Sequence, residues 1–179
     1  MKADTRVVPL SAYLGPVGMP GVTAWYGLVH LARVDRADVV LVHSAAGGVG
    51  LNALQILHGL GARVIATIGD PAKALILTQR AVLDSRSIIV RERARFGAQL
   101  DAALEAAGAA GLDVVFDAIA GPYFSPAYLR LRPEGRQGFR LGRIQRAEVL
   151  QRLQDDAGSR AISRRDIASP SEVTVGDLD

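Results

Sequence analysis

Six residues, Ala45-Ala46-Gly47-Gly48-Val49-Gly50, follow directly on the apolar run Val39-Val40-Leu41-Val42 and lead directly into Leu51–Leu60. In that last segment Leu51, Leu54, Ile56, Leu57 and Leu60 recur at helical spacing. The hexapeptide is G-x-G-x-x-G with Ala45 in the place of the first glycine. Its chemistry is anion binding: a strand turns sharply into a helix, and the first N–H groups of the helix cradle a pyrophosphate. A side chain at Gly47 would obstruct the phosphate, and Gly50 lets the helix pack tightly against the strand. Glycines alone carry little information, and an ordinary ligand-free turn is the competing reading. Here the loop sits inside a βαβ unit, which makes the pattern specific. Ala46, Gly47, Gly48, Val49 and Gly50 are the first candidate binding residues.

The tip of the next strand decides which dinucleotide fits. NAD sites usually place a carboxylate there, about 20 residues past the loop, for the ribose hydroxyls. Ile65-Ala66-Thr67-Ile68 ends without one and runs into Gly69-Asp70-Pro71-Ala72-Lys73. Lys73 reaches a 2′-phosphate from the first turn of the following helix, and Arg91, after the third strand, supplies a second positive charge. NADP(H) is favoured over NAD(H). Asp70, two residues past the tip, is the objection, and plain solvated charge is the competing reading for Lys73 and Arg91.

Other constellations are weaker. His43 and Ser44 adjoin the loop and Asp117 ends a neighbouring strand, but a Ser/His/Asp hydrolase lacks its G-x-S-x-G elbow. Adjacent strand residues also point to opposite faces. His43 is expected to pack or hydrogen-bond near the loop. Three scattered histidines and no cysteine leave no metal site in view. Tyr26, Tyr123 and Tyr128 are the phenols near the expected nicotinamide region, each better read as core or helix surface, and Trp25 is expected in the core. No catalytic residue is assigned.

The elements that position the loop alternate as βαβαβαβ, which predicts an α/β fold: a Rossmann-type parallel sheet with helices on both faces. Helices are predicted over 22–33, 51–60, 71–80, 96–107 and 122–131, and strands over 39–42, 63–68, 87–90 and 113–117. Gly61 reads as a helix stop. Past Gly135 the pattern decays: Gly138–Gly142 is at best an arginine-bearing edge strand, so the sheet is expected to be incomplete at its C-terminal edge. A helix is expected over Ile144–Leu153. The organisation predicted is a leading segment or linker over 1–20, with a short helix near Ser11–Leu14. A dinucleotide-binding domain follows over 21–143, then an atypical tail over 144–179.

The chain has 179 residues, of which 49% are hydrophobic, enough for one domain with a core. The absence of cysteine excludes disulfides, and no leader or apolar span is evident, so a cytoplasmic location is the simplest. The net charge of +3 is carried almost wholly by arginine. Arg130, Arg132, Arg136, Arg140, Arg143, Arg146, Arg152, Arg160, Arg164 and Arg165 crowd the C-terminal third. With acids interleaved and no aromatic platform, a solvated surface is a better reading than a nucleic-acid interface.

Several motifs stand in order. Met19-Pro20-Gly21-Val22-Thr23-Ala24-Trp25-Tyr26-Gly27-Leu28 precedes Val40–Gly50. Gly61–Thr67, Gly111–Asp117 and Leu131-Arg132-Pro133-Glu134-Gly135-Arg136 follow. Together they resemble the medium-chain dehydrogenase/reductase superfamily, in its zinc-free quinone oxidoreductase and enoyl reductase branch, over about residues 9–136. The resemblance implies pyrophosphate at Ala45–Gly50, the 2′-phosphate at Gly69 and Lys73, and the nicotinamide near Thr23 and the loop after Asp117. It implies NADPH as cofactor, with NADH the weaker fit, and hydride transfer to a small quinone or α,β-unsaturated carbonyl. It further implies a separate substrate domain ahead of this one and a homodimer in the parent family. Because the match stops after Arg136, a fragment with a foreign tail is expected. A non-catalytic nucleotide-binding module therefore stays open beside the oxidoreductase.

Overall fold

A computed structural model describes residues 5–81, 83–119, 121–139 and 142–145. A short helix α1 (Leu10–Tyr13) precedes α2 (Met19–Trp25), which continues through a π-helical turn, Tyr26–Leu31. Then come β1 (Val39–Val42), α3 (Gly48–Leu60), β2 (Arg63–Ile68), α4 (Ala74–Arg80), β3 (Ile88–Val90), α5 (Phe96–Ala106), β4 (Leu112–Asp117) and α6 (Phe124–Tyr128). Strands β5 (Leu131–Phe139) and β6 (Gly142–Gln145) complete the described chain. The sheet order is β3-β2-β1-β4-β5-β6. Every pair is parallel except β5 with β6. The first five positions follow the doubly wound order, whose direction reverses between β1 and β4.

β1 is buried at every position, as a strand covered on both faces must be. Alternation divides the core in two. Val40, Val42, Ala66, Ile68, Val114 and Phe116 pack with Ala24, Leu28, Ala53, Leu54, Leu57 and Leu77 from α2, its π-turn, α3 and α4. His43, one place beyond β1, lies 5.7 Å from Phe96 at the start of α5. Gly61 ends α3 with φ +74°. Its N–H donates to His58 O (3.1 Å) and that of Ala62 to Leu57 O (3.1 Å), the paired closure of a left-handed helix stop.

The expected helix over 22–33 begins earlier, at Met19, with Pro20 in its first turn. Ala24, Leu28 and Ala32 face the core at four-residue spacing. Trp25, expected in the core, is instead 51% exposed. Its ring stacks towards His30 at 6.4 Å on the outer face of the π-turn.

The C-terminal edge also departs from expectation. The fifth strand starts at Leu131, not at 138, and runs through the polar segment Arg132–Arg136. Its register with β4 jumps from Leu112↔Leu131 to Val114↔Arg136, and Pro133 sits inside that irregularity, where a missing N–H costs no ladder bond. A sixth, antiparallel strand then fills the edge position left open by the sequence pattern. Ile144 and Gln145 belong to it; the rest of the expected helix over 144–153 and the tail lie outside the described residues.

Polar residues form a strand here because their partners wait at the amino ends of the sheet. Arg136 donates through Nη1 to Ala32 O (2.8 Å) and Arg33 O (3.0 Å), and through Nη2 to Asp38 Oδ1. Asp38 is buried and also accepts from Asp35 N–H at 2.9 Å. Arg132 binds Asp113 at 2.8 Å, and Asp113 accepts from Val39 N–H at 2.8 Å. Arg130 makes two 2.5 Å bonds to Asp101. These three arginines are structural ties, contrary to their reading as merely solvated charge. Asp38→Ala leaves the half-buried Arg136 without its carboxylate. We expect a loss of about 3 kcal/mol in urea unfolding; a change below about 0.5 kcal/mol would show that the tie contributes nothing.

Candidate functional site

The turn from β1 into α3 is built from short bonds. Ala45, fully buried, donates its N–H to Thr67 O at 2.9 Å, which extends the β1–β2 ladder past the strand. Gly47 N–H closes the turn onto Ser44 O at 2.8 Å. Ser44 itself is left-handed, at φ +53°, a conformation that costs an L-residue roughly 1–2 kcal/mol. Gly47 is the extended residue before α3, and no side chain caps the helix. Leu51 N–H already bonds Gly47 O at 2.8 Å. The N–H groups of Gly48, Val49 and Gly50 have no partner within the helix, and they form the positive end of its dipole.

Glycine is demanded unequally. A Cβ on Gly50 would lie 2.4 Å from Ser44 O and 2.7 Å from Ala45 Cα, both backbone atoms. On Gly47 it would crowd Ser44 O at 3.1 Å, and on Gly48 it would meet nothing nearer than Pro20 Cβ at 4.0 Å. Gly48 therefore faces open space, and the same proximity places the start of α2 beside the loop. Thr23 lies half-buried in that helix.

Beside the loop a polar row crosses the carboxyl ends of the strands. In register, β1 pairs Val42 with Ala66 and with Phe116, so His43 falls between Thr67 and Asp117. All three are buried. His43 Nδ1 lies 3.0 Å from Thr67 Oγ1. Arg91 Nη1 donates to the same hydroxyl at 3.2 Å, and its guanidinium lies over the Tyr123 ring at 5.2 Å. Burial pushes the His43 pKa down to about 4; Asp117 pulls it up and Arg91 adds to the lowering. Burial also lowers the Arg91 pKa, against the pull of Tyr123 and Asp117.

The sequence candidates are thus distributed around one end of the sheet. Ala46–Gly50 form the helix start. Gly69 and Arg91 are neighbours across β2 and β3, since a Cβ on Gly69 would lie 3.1 Å from Arg91 Nη2. Arg91 is half-buried and bonded within the row rather than merely solvated. Lys73 is exposed at the end of the tight turn Pro71–Lys73. Asp70, the acid that argued for NAD, caps that turn by accepting Ala72 N–H at 2.9 Å. Tyr128 is buried and Tyr123 is half-buried beneath Arg91. His43 bonds near the loop, as expected, but through Thr67. Sequence reading passed over Thr67, although a hydroxyl in the apolar run Val64–Ile68 was a signal.

Among the described residues no group of His, Cys, Asp or Glu is placed to hold a metal ion, and no helix is long and apolar enough to cross a membrane.

No family model matches the chain. It is similar to prostaglandin reductase 1 of Rattus norvegicus, 34% identical over 129 residues, covering 72% of this chain and 37% of that protein. The crystal structure of CurA in complex with NADPH from Vibrio vulnificus superposes with a TM-score of 0.63 at 30% identity, covering 71% of this chain and 36% of that one. The crystal structure of the CurK enoyl reductase gives 0.62 at 29% identity, covering 80% and 45%. The chain spans less than half the length of each of these proteins.

Two substitutions separate the roles of the glycines. Gly50→Ala is expected to cost about 2 kcal/mol or more, because backbone must move. Gly48→Ala is expected to change stability by less than about 0.5 kcal/mol. Denaturant midpoints check both, and equal costs would contradict the geometry. A pH dependence follows from His43. The unfolded imidazole protonates near 6.5 and the folded one near 4, so acid favours the unfolded chain. Its contribution is complete above pH 6.5 and is lost as pH falls towards 4. Between pH 7 and 5 the wild-type chain should lose roughly 2 kcal/mol more than His43→Gln; identical losses would refute the buried, neutral imidazole.

Proposed function

The chain belongs to the medium-chain dehydrogenase/reductase superfamily, and on that premise we propose that it binds NADPH for hydride transfer to a small quinone or α,β-unsaturated carbonyl. The observation that carries this reading is the uncapped start of α3, set at the point where the sheet order reverses, with Arg91 and Lys73 flanking the tip of β2. The residues fit the cofactor. The N–H groups of Gly48, Val49 and Gly50 are aimed outward with a glycine in open space, as a pyrophosphate requires. Ala46 and Gly47 shape the approach. Gly69 leaves room beside the Arg91 guanidinium, and with Lys73 these make the pocket for a 2′-phosphate. Asp70, engaged in its own turn, is a weaker partner for a ribose hydroxyl.

When bound, NADPH supplies the hydride. This chain's contribution is to anchor the phosphates, set the nicotinamide near Thr23 and the loop after Asp117, and choose between the two dinucleotides. The likeness to CurA, solved with NADPH, supports the cofactor, and the likeness to the CurK enoyl reductase supports the acceptor class. The proposed setting is cytoplasmic. β6, whose outer edge is unpaired within the sheet order, is where a second copy would add.

Titration of the full chain with NADPH and NADH, followed by nicotinamide fluorescence, tests the reading. NADPH should bind more tightly, and Lys73→Ala should weaken it about tenfold, the scale of a lost charge-assisted contact, while leaving NADH unchanged. Equal binding of the two cofactors would overturn the phosphate pocket. Consumption of NADPH with a simple enone or quinone then separates a reductase from a binding module.

A further inference from the structure

The polar row at the carboxyl ends of β1, β2 and β4 buries a histidine and a threonine, and the cofactor reading gives neither of them a role. We propose that His43 and Thr67 are positioning residues that hold the Arg91 guanidinium at Gly69 and so set the preference for NADPH over NADH. This rests on the reading above.

The hydroxyl of Thr67 is shared between Arg91 and His43. A guanidinium only donates, so Arg91 gives a proton to Thr67 Oγ1 at 3.2 Å. The hydroxyl can accept twice and donate once, so the bond to His43 Nδ1, 3.0 Å away, runs in either direction according to the tautomer. In the proposed relay Nδ1 accepts the hydroxyl proton, which leaves the imidazole neutral with its proton on Nε2. That atom is buried, has no hydrogen-bond partner among the described residues, and lies in the field of Asp117. A neutral ring is also what the neighbouring guanidinium requires, because a second cation in the row would repel it. Burial of His43 acts in the same direction.

A second set of contacts closes the circuit. Arg91 lies over Tyr123, Tyr123 meets Phe96 edge-on at 5.1 Å, and Phe96 packs on His43 at 5.7 Å. Held between a hydroxyl and a ring face, the guanidinium keeps Nη2 beside Gly69, at the same strand tip as Lys73. An arginine without those supports samples many rotamers and meets a phosphate only after ordering. The cation for the 2′-phosphate is therefore preorganised by residues that never touch the cofactor.

Dissociation constants for NADPH and NADH of the full chain test this on Thr67→Val, His43→Phe and the double variant. Each single change should weaken NADPH about fivefold and NADH less than about twofold. The double should be no weaker than either, because one hydrogen-bonded chain is broken once. His43→Asn, which puts an acceptor oxygen near the place of Nδ1, should restore the preference. An unchanged NADPH-to-NADH ratio in a folded Thr67→Val overturns the proposal while the NADPH reading stands. A wild-type chain that binds neither cofactor overturns both. Independently of any cofactor, nitrogen-15 spectra of the wild-type chain should show His43 Nδ1 unprotonated; a proton there overturns the relay.

Discussion

The helix α3 starts against the backbone of the strand that precedes it. At Gly50 the distance to Ser44 O and Ala45 Cα leaves no space for a methyl group, so the whole helix is placed by a contact that only hydrogen can make. Everything at this end of the molecule inherits that placement. Ser44 takes a left-handed turn, Ala45 is pulled onto β2, and the unbonded N–H groups of the first helical turn come to lie at the reversal of the sheet order. The proposed anion site is thus a by-product of tight helix–strand packing: the same approach that excludes a side chain points the dipole outward.

Parallel register does the rest. Because β1 is flanked by β2 and β4 in matched steps, residues one place beyond the strands line up, and His43, Thr67 and Asp117 are gathered from positions far apart in the chain. A row of buried polar groups beside the apolar residues of β1, β2 and β4 is expensive unless its members satisfy one another. Here Thr67 serves both His43 and Arg91, which sets their orientation at the strand tip, while His43 Nε2 and Arg91 Nε are left without a hydrogen-bond partner among the described residues.

How much of this could be read from residues alone follows from the range of the interactions. β1 and β2 were legible to their end residues, because Val39–Val42 and Arg63–Ile68 are apolar runs between turn signals, and Gly61 marks its own helix stop. The glycine loop was legible for the same reason, its chemistry being local. Trp25 was misplaced because helical spacing identifies an apolar stripe but not its width: Ala24, Leu28 and Ala32 take the core, and Trp25 falls beside them. β5 was hidden because its partners are Asp38, just before β1, and Asp113, near the start of β4, so its arginines looked like a solvated surface. The row through Thr67 needed the register, which no single segment contains.

The tie between Asp38 and Arg136 spans 98 residues of chain. Closing such a loop is entropically slow compared with the neighbouring pairing of β1 with β2 through α3. Loop closure alone predicts that folding proceeds outward from the glycine-loop unit and that β5 docks after it, onto Asp38 and the carbonyls of Ala32 and Arg33. The order matters during synthesis: β1, α3 and β2 leave the ribosome and associate while the strand that will flank β4 is still unmade. Until that strand arrives, Asp38 has the local Asp35 N–H but no cation as partner. On this order the docking of β5, onto which β6 then pairs, joins an electrostatic capture by Asp38 to the burial of Leu131.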